Sequence, residues 1–212
     1  LSLSNICFIL SMTSTTVANT VFTISLIPFL TAFFSFLILK EKLAKITIFT
    51  MLLAFGGVLV MFYGVLLIGA LWGNILALFA AICFSIFTII LRRNKNIDML
   101  PCLLISGIIA MALSLFQKMG SLQISSNDFF LCFILGAVLS GFVNCCFVFA
   151  TRHLIAAEVT LFFFIEIALS PFWVWLFLNE YTTFNTLIGG IIILISILLR
   201  SIYLLLTKRK IN

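Results

Sequence analysis

Apolar runs of similar length recur along this chain, separated mostly by links of only a few residues. Seven such runs fall at residues 16–39, 46–66, 69–91, 100–116, 129–150, 155–178 and 184–206. Most come close to the roughly twenty residues that a helix needs to cross a bilayer. None keeps the strict alternation of a barrel strand, so the runs predict helices. Composition agrees: 64% of residues are hydrophobic and 8% charged, where a soluble domain has about a quarter charged. No soluble core could hide that much apolar surface, and the chain is expected to be an all-α integral membrane protein. The opening run LSLSNICFILSM is too short to span, and it lacks the basic start and small-residue cleavage site of a signal peptide. It reads as the tail of a further span.

The basic residues orient the runs. Lys40, Lys42 and Lys45 follow the first run, Arg92, Arg93 and Lys95 the third, and Arg152 the fifth. Arg200, Lys208, Arg209 and Lys210 sit at the end of the seventh. If the runs alternate in direction, these eleven of the 12 Lys and Arg lie on one side, and only Lys118 lies on the other. The crowded side is expected to be cytoplasmic, with the C-terminus inside, since short loops rich in Lys and Arg stay in the cytoplasm. The net charge of +6 therefore speaks of orientation rather than of nucleic acid. The six cysteines, with no CxxC pair among them, read as small buried hydrophobes.

The chain also resembles itself. A shift of 139 residues lays FILSMTSTTVANTV, from Phe8, on FVFATRHLIAAEVT, from Phe147. The same shift lays FLILKE, ending at Glu41, on WLFLNE, ending at Glu180. Each copy has a long apolar helix with a proline, Pro28 or Pro171, and a closing glutamate. In the first copy the basic link follows that helix; in the second it precedes it. The copies should therefore be oppositely oriented. Inverted repeats of this kind build many secondary transporters, with the binding site near the midplane. Equivalent points lie five spans apart, so ten helices in two inverted five-helix units are expected, with the first two to three missing. Residues 1–66 then belong to the first unit and 67–212 to the second.

Two stretches, TSTTVANTVFTISLIPFLTAFFSFLILKEKL and FATRHLIAAEVTLFFFIEIALSPFWVWLFLNE, are followed by the glycine-bearing MLLAFGGVLVMFYG and LIGGIIIL. On these the chain resembles EamA-type transporters of the drug/metabolite transporter superfamily. The resemblance implies ten helices and movement, most readily export, of small metabolites or drugs. It also matches Glu166 to a mid-helix glutamate of the family, although Ile167 stands where members often have proline.

Residues four apart share a helix ridge. Asn19, Thr23, Ile27, Thr31 and Ser35 form one, and the shift maps it onto Glu158, Phe162, Glu166, Ser170 and Val174. Ser140 with Asn144, and Asn74 with Ser85, share faces on two other runs. The expected cavity lining is therefore Asn19, Thr23, Thr31, Asn74, Ser85, Ser140, Asn144, Glu166 and Ser170. For each hydroxyl, bonding to its own backbone or to a neighbouring helix fits as well. Glu166 stands out because a charge at mid-membrane costs at least a few kcal/mol. Proton coupling or pairing with a cationic solute would explain it; so would a protonated acid bonded to another helix.

Pro28 and Pro171 are expected to kink their helices, as hinges or as plain shaping. Gly56-Gly57 and Gly189-Gly190 are expected to allow close helix packing. Glu158 is expected to pair with Arg152 or to lie at the interface, as His153 does; Glu41 and Glu180 read as helix ends. One histidine and few carboxylates argue against an intramembrane enzyme or a metal site. No nucleotide-binding loop is present, no cofactor is expected, and energy would come from a gradient. The expected partners are a small-molecule solute and the lipid bilayer, with a homodimer as a further option, in a bacterial inner membrane. A non-transporting membrane scaffold is the competing reading.

Overall fold

The computed structural model describes residues 1–63, 71–117, 125–178 and 183–209, and every regular element among them is helical. The α-helices are α1 (Ser2–Ser14), α2 (Val17–Ile24), α3 (Ile27–Phe34), α4 (Lys45–Met61), α5 (Leu71–Arg93) and α6 (Leu100–Gln117). They continue with α7 (Ser126–Phe133), α8 (Gly141–His153), α9 (Ala156–Thr160), α10 (Phe163–Leu178) and α11 (Phe184–Arg209). Two π-helices, Ser35–Leu39 and Ile134–Ser140, continue α3 and α7. Lys118, Glu180 and Lys210 lie outside the described residues.

Five segments are long and apolar enough to cross a membrane: Val17–Leu39, Leu71–Arg93, Ser126–His153, Ala156–Trp173 and Phe184–Tyr203. The sequence predicts seven. Two helices fall short among the described residues: α4, with 17 residues, and the apolar part of α6, Leu100–Leu115. Seventeen residues rise about 25 Å, less than a hydrocarbon core of about 30 Å.

Small residues set the closest contacts. A Cβ on Gly57 would stand 2.8 Å from the Gly189 carbonyl oxygen, and one on Gly189 would stand 2.5 Å from that of Gly57. These two glycines let α4 and α11 meet backbone to backbone. Gly56 has open space instead, with nothing among the described residues within 4 Å of its Cβ position. Beside this seam Met51, Ala54 and Val58 of α4 pack with Phe164 and Ile167 of α10 and Ile193 of α11. Between α1 and α5 the contact is polar. Ser4 donates to the Ala80 carbonyl at 2.9 Å, and Ser11 donates to that of Gly73 at 2.8 Å. Hydroxyls bonded to a neighbour's backbone hold helices together where lipid offers no hydrophobic drive.

The two proline-bearing spans are interrupted, each in its own way. In the first, a turn at Ser25–Leu26 separates α2 from α3, and Pro28 is the second residue of α3, where a missing N–H costs little. In the second, the turn is at Leu161–Phe162, and α10 runs on through Pro171. The proline marks the break in one span and not in the other.

Three pairs of element boundaries are separated by the same offset of residues as the sequence shift. α1 ends at Ser14 and α8 at His153. α2 begins at Val17 and α9 at Ala156; α4 begins at Lys45 and α11 at Phe184. Each pair is 139 residues apart.

Candidate functional site

A cavity of about 330 Å³ opens between α1, α2, α3, α5, α10 and the second π-helix. Phe8, Phe84 and Phe163 supply aromatic wall, and Val21, Ile24, Ile27 and Ile167 aliphatic wall. Its polar lining is Ser4 and Asn5 from α1, Ser140 from the π-helix, and Glu166 and Ser170 from α10. Among the described residues, Glu166 is the only charged one on this wall. The Phe84 and Phe163 rings meet edge to face at 5.1 Å, and Phe147 backs both.

Two further spaces adjoin it. A lateral cleft of about 1010 Å³ lies between α1, α6, the π-helix and α8. It shares Asn5 and Ser140 with the cavity, and also holds Ser106 and Asn144. A shallower groove of about 610 Å³ runs along α10 past Phe162, Glu166, Ser170 and Trp173. Glu166 borders both the cavity and this groove and is exposed. Its interior position is thus partial in the structure: one side meets the cavity, the other an open helix face.

Of the nine lining candidates, Ser140, Glu166 and Ser170 come together on the cavity, and Asn144 stands on the cleft. The others lie elsewhere. Asn19 is buried, and its amide donates to the Thr15 hydroxyl at 3.2 Å; that hydroxyl in turn reaches Asn74 at 3.4 Å. Thr23 donates to the Asn19 carbonyl. Ser85 donates to the Ala81 carbonyl at 2.8 Å and also lies near that of Ile27 on α3. Thr31 is fully buried, and its hydroxyl oxygen has no hydrogen-bond partner among the described residues. Apart from Thr31, these residues join helices or bond back onto their own turn, a common use of such side chains. Asn144 and Ser170 also bond back, to Ser140 and Ile167 carbonyls, while still bordering open space.

Sequence reasoning missed Ser4 and Asn5. They lie in the opening run, too short to be weighed as a span, although the 139-residue shift lays Asn5 on Asn144 and could have drawn attention to it. Of the two readings for Glu158, the pairing with Arg152 is not the one found. That carboxylate pairs with Arg200, while Arg152 pairs with Asp98 at 2.6 Å. α9 and α11 meet at this end, a contact invisible along the chain. Glu41 is more than a helix end: it accepts from Arg92 at 2.9 Å and from Ser35 at 2.8 Å. His153 is exposed, as an interfacial residue would be. Among the cysteines only Cys7 is buried; Cys132, Cys145 and Cys146 are exposed on helix faces, where contact with lipid suits a small apolar side chain. Among the described residues no three His, Cys, Asp or Glu side chains cluster as metal ligands.

Comparison with known proteins gives a family and a fold. The family model for EamA-like transporters matches residues 1–63 and 71–202. A protein of known crystal structure shares the fold with a TM-score of 0.73 at 15% sequence identity, over 91% of this chain and 71% of its own. No curated protein sequence matches the chain.

Proposed function

The chain belongs to the EamA-like transporter family, whose members carry small solutes across membranes, and on that premise we propose that it is a secondary transporter of small metabolites or drugs, working by alternating access. The cavity with one carboxylate in its wall carries this reading. Its volume of about 330 Å³ suits a small molecule. A solute with a positive group beside an apolar body complements three Phe rings and a lone acid. Glu166 holds either that positive group or a proton, and the exclusion of one by the other would couple the two. Export is the direction that the resemblance favours. The basic face is read as cytoplasmic, with the C-terminus inside, in a bacterial inner membrane.

The architecture proposed with this function is ten helices in two inverted units, with 1–66 in the first and 67–212 in the second. Element boundaries that recur 139 residues apart support it. So does the opposite placement of the basic links. α5 packs on α1, α2 and α3, whose counterparts at the repeat offset are α8, α9 and α10.

The test is flux in sealed proteoliposomes with the complete transporter. Glu166→Gln should lower the uptake of a cationic aromatic solute at least tenfold while leaving membrane insertion intact. Flux equal to wild type at every pH tested would remove Glu166 from the mechanism. No flux of any solute by the wild type would remove the transporter reading itself.

A further inference from the structure

Beyond the cavity, toward the basic face, lies a layer of buried residues, and among the described residues three ion pairs stand outside it. Thr31, Ser35, Thr88, Leu91 and Thr151 are each at most 1% exposed. They follow the cavity residues along α3, its π-helix, α5 and α8. Beyond them the Arg92 Nε donates to Glu41 at 2.9 Å. The Arg92 Nη1 donates to the Thr151 and Arg152 carbonyls at 3.3 and 3.1 Å. One guanidinium therefore ties α5 to the link after the first π-helix and to the C-terminal end of α8, where unpaired carbonyls favour a cation. Arg200 of α11 pairs with Glu158 of α9 and lies 3.4 Å from the Thr47 hydroxyl of α4. The third pair, Arg152–Asp98, stands where the lateral cleft reaches its basic end, since Asp98 lines that cleft.

Distances along the helices place this layer between solute and solvent. Glu166 lies eight residues past Glu158, and Phe84 eight before Arg92. Along the unbroken α5, eight residues rise about 12 Å, two turns between Phe84 on the cavity wall and Arg92, whereas the turn at Leu161–Phe162 interrupts the stretch from Glu158 to Glu166. The side chains of Arg200 and Glu158 are 9% and 17% exposed, and those of Arg92 and Glu41 14% and 20%. Burying such charges costs several kcal/mol in desolvation, so they add little net stability over an apolar contact. Their best-attested use is to specify one arrangement over another. The Glu41–Arg92 pair joins elements assigned above to different units, and Arg200 reaches across the same division to Thr47, while Glu158 and Arg200 belong to one unit.

We infer that Glu41–Arg92 and Glu158–Arg200 form a latch that closes the cavity to the basic face, and that this structure is the latched state. Opening that face requires both pairs to part, and the freed groups then meet water at the interface, where a separated pair is tolerable. The inference concerns access rather than flux, so it can be judged apart from the proposed activity.

The test uses the full chain with its six cysteines replaced by alanine and one reporter, Ile24→Cys, on the cavity wall. A membrane-impermeant thiol reagent is applied to either face of oriented vesicles. In the latched protein, labelling from the basic face should be slow. The double variant Glu41→Gln with Glu158→Gln should label from that face at least tenfold faster, as a shift between two states predicts. In the Glu41→Gln background, the exchange Glu158→Arg with Arg200→Glu should keep labelling slow if the pair itself is what closes the site. An unchanged rate in the double variant overturns the latch. So does fast labelling in both the double variant and the exchange, which would trace access to lost packing.

Discussion

The Ser170 hydroxyl donates to the Ile167 carbonyl at 2.9 Å, the carbonyl that Pro171 leaves without its usual helical donor. In an unbroken helix the N–H of residue 171 would fill that place, and proline has none. The serine thus repairs the proline one residue before it, on the wall of the cavity. Ser170→Ala should lower stability in detergent by about 1 kcal/mol, the usual net worth of one hydrogen bond. In a Pro171→Ala background, where the backbone bond returns, the same change should cost close to nothing. Thermal unfolding of the four proteins closes this cycle. An equal cost in both backgrounds would show that Ser170 does not compensate for the proline.

The seam between α4 and α11 sets a second expectation. Gly57→Ala and Gly189→Ala each force a methyl group to within 2.8 and 2.5 Å of an opposing carbonyl oxygen. Backbone cannot step aside as a side chain can. Each change should destabilise by about 1–3 kcal/mol, the range for overpacking. Gly56→Ala, one residue away with open space at its Cβ position, should be neutral or slightly stabilising, because alanine favours helix. Tm values for the three variants decide it, and a Gly57→Ala protein as stable as Gly56→Ala would refute the close approach.

Thr31 separates a structural role from a lining role. Its hydroxyl is buried with no hydrogen-bond partner among the described residues, and Thr31→Val removes that polar group at nearly constant volume. Stability should stay level or rise by about 1 kcal/mol, with flux unchanged. A loss of flux at normal stability would return Thr31 to the solute path.

Much of this was legible along the chain. Apolar length is a local property, and so is the grouping of basic links, which is why membrane helices and a basic face follow from residues alone. The 139-residue offset between Lys45 and Phe184 survives into the fold because helix starts are encoded locally. The Pro171 span was harder. Its interruption, at Leu161–Phe162, has no proline within reach, and a turn of that kind depends on what packs against it.

The residues themselves determined that Glu166 would be conspicuous, since a carboxylate in an apolar run costs free energy wherever the run is placed in lipid. They could not determine which hydroxyls would join it. Asn19, Thr31 and Ser170 all lie on the ridges drawn from spacing, yet only Ser170 reaches the cavity. A ridge says which side chains share a face of one helix, but not toward which neighbour that face turns. That rotation is set by contacts far apart in sequence: Ser4 on Ala80, Gly57 on Gly189, Arg200 on Glu158. Only the packed fold decides it, because every helix is turned by the whole set of its neighbours at once.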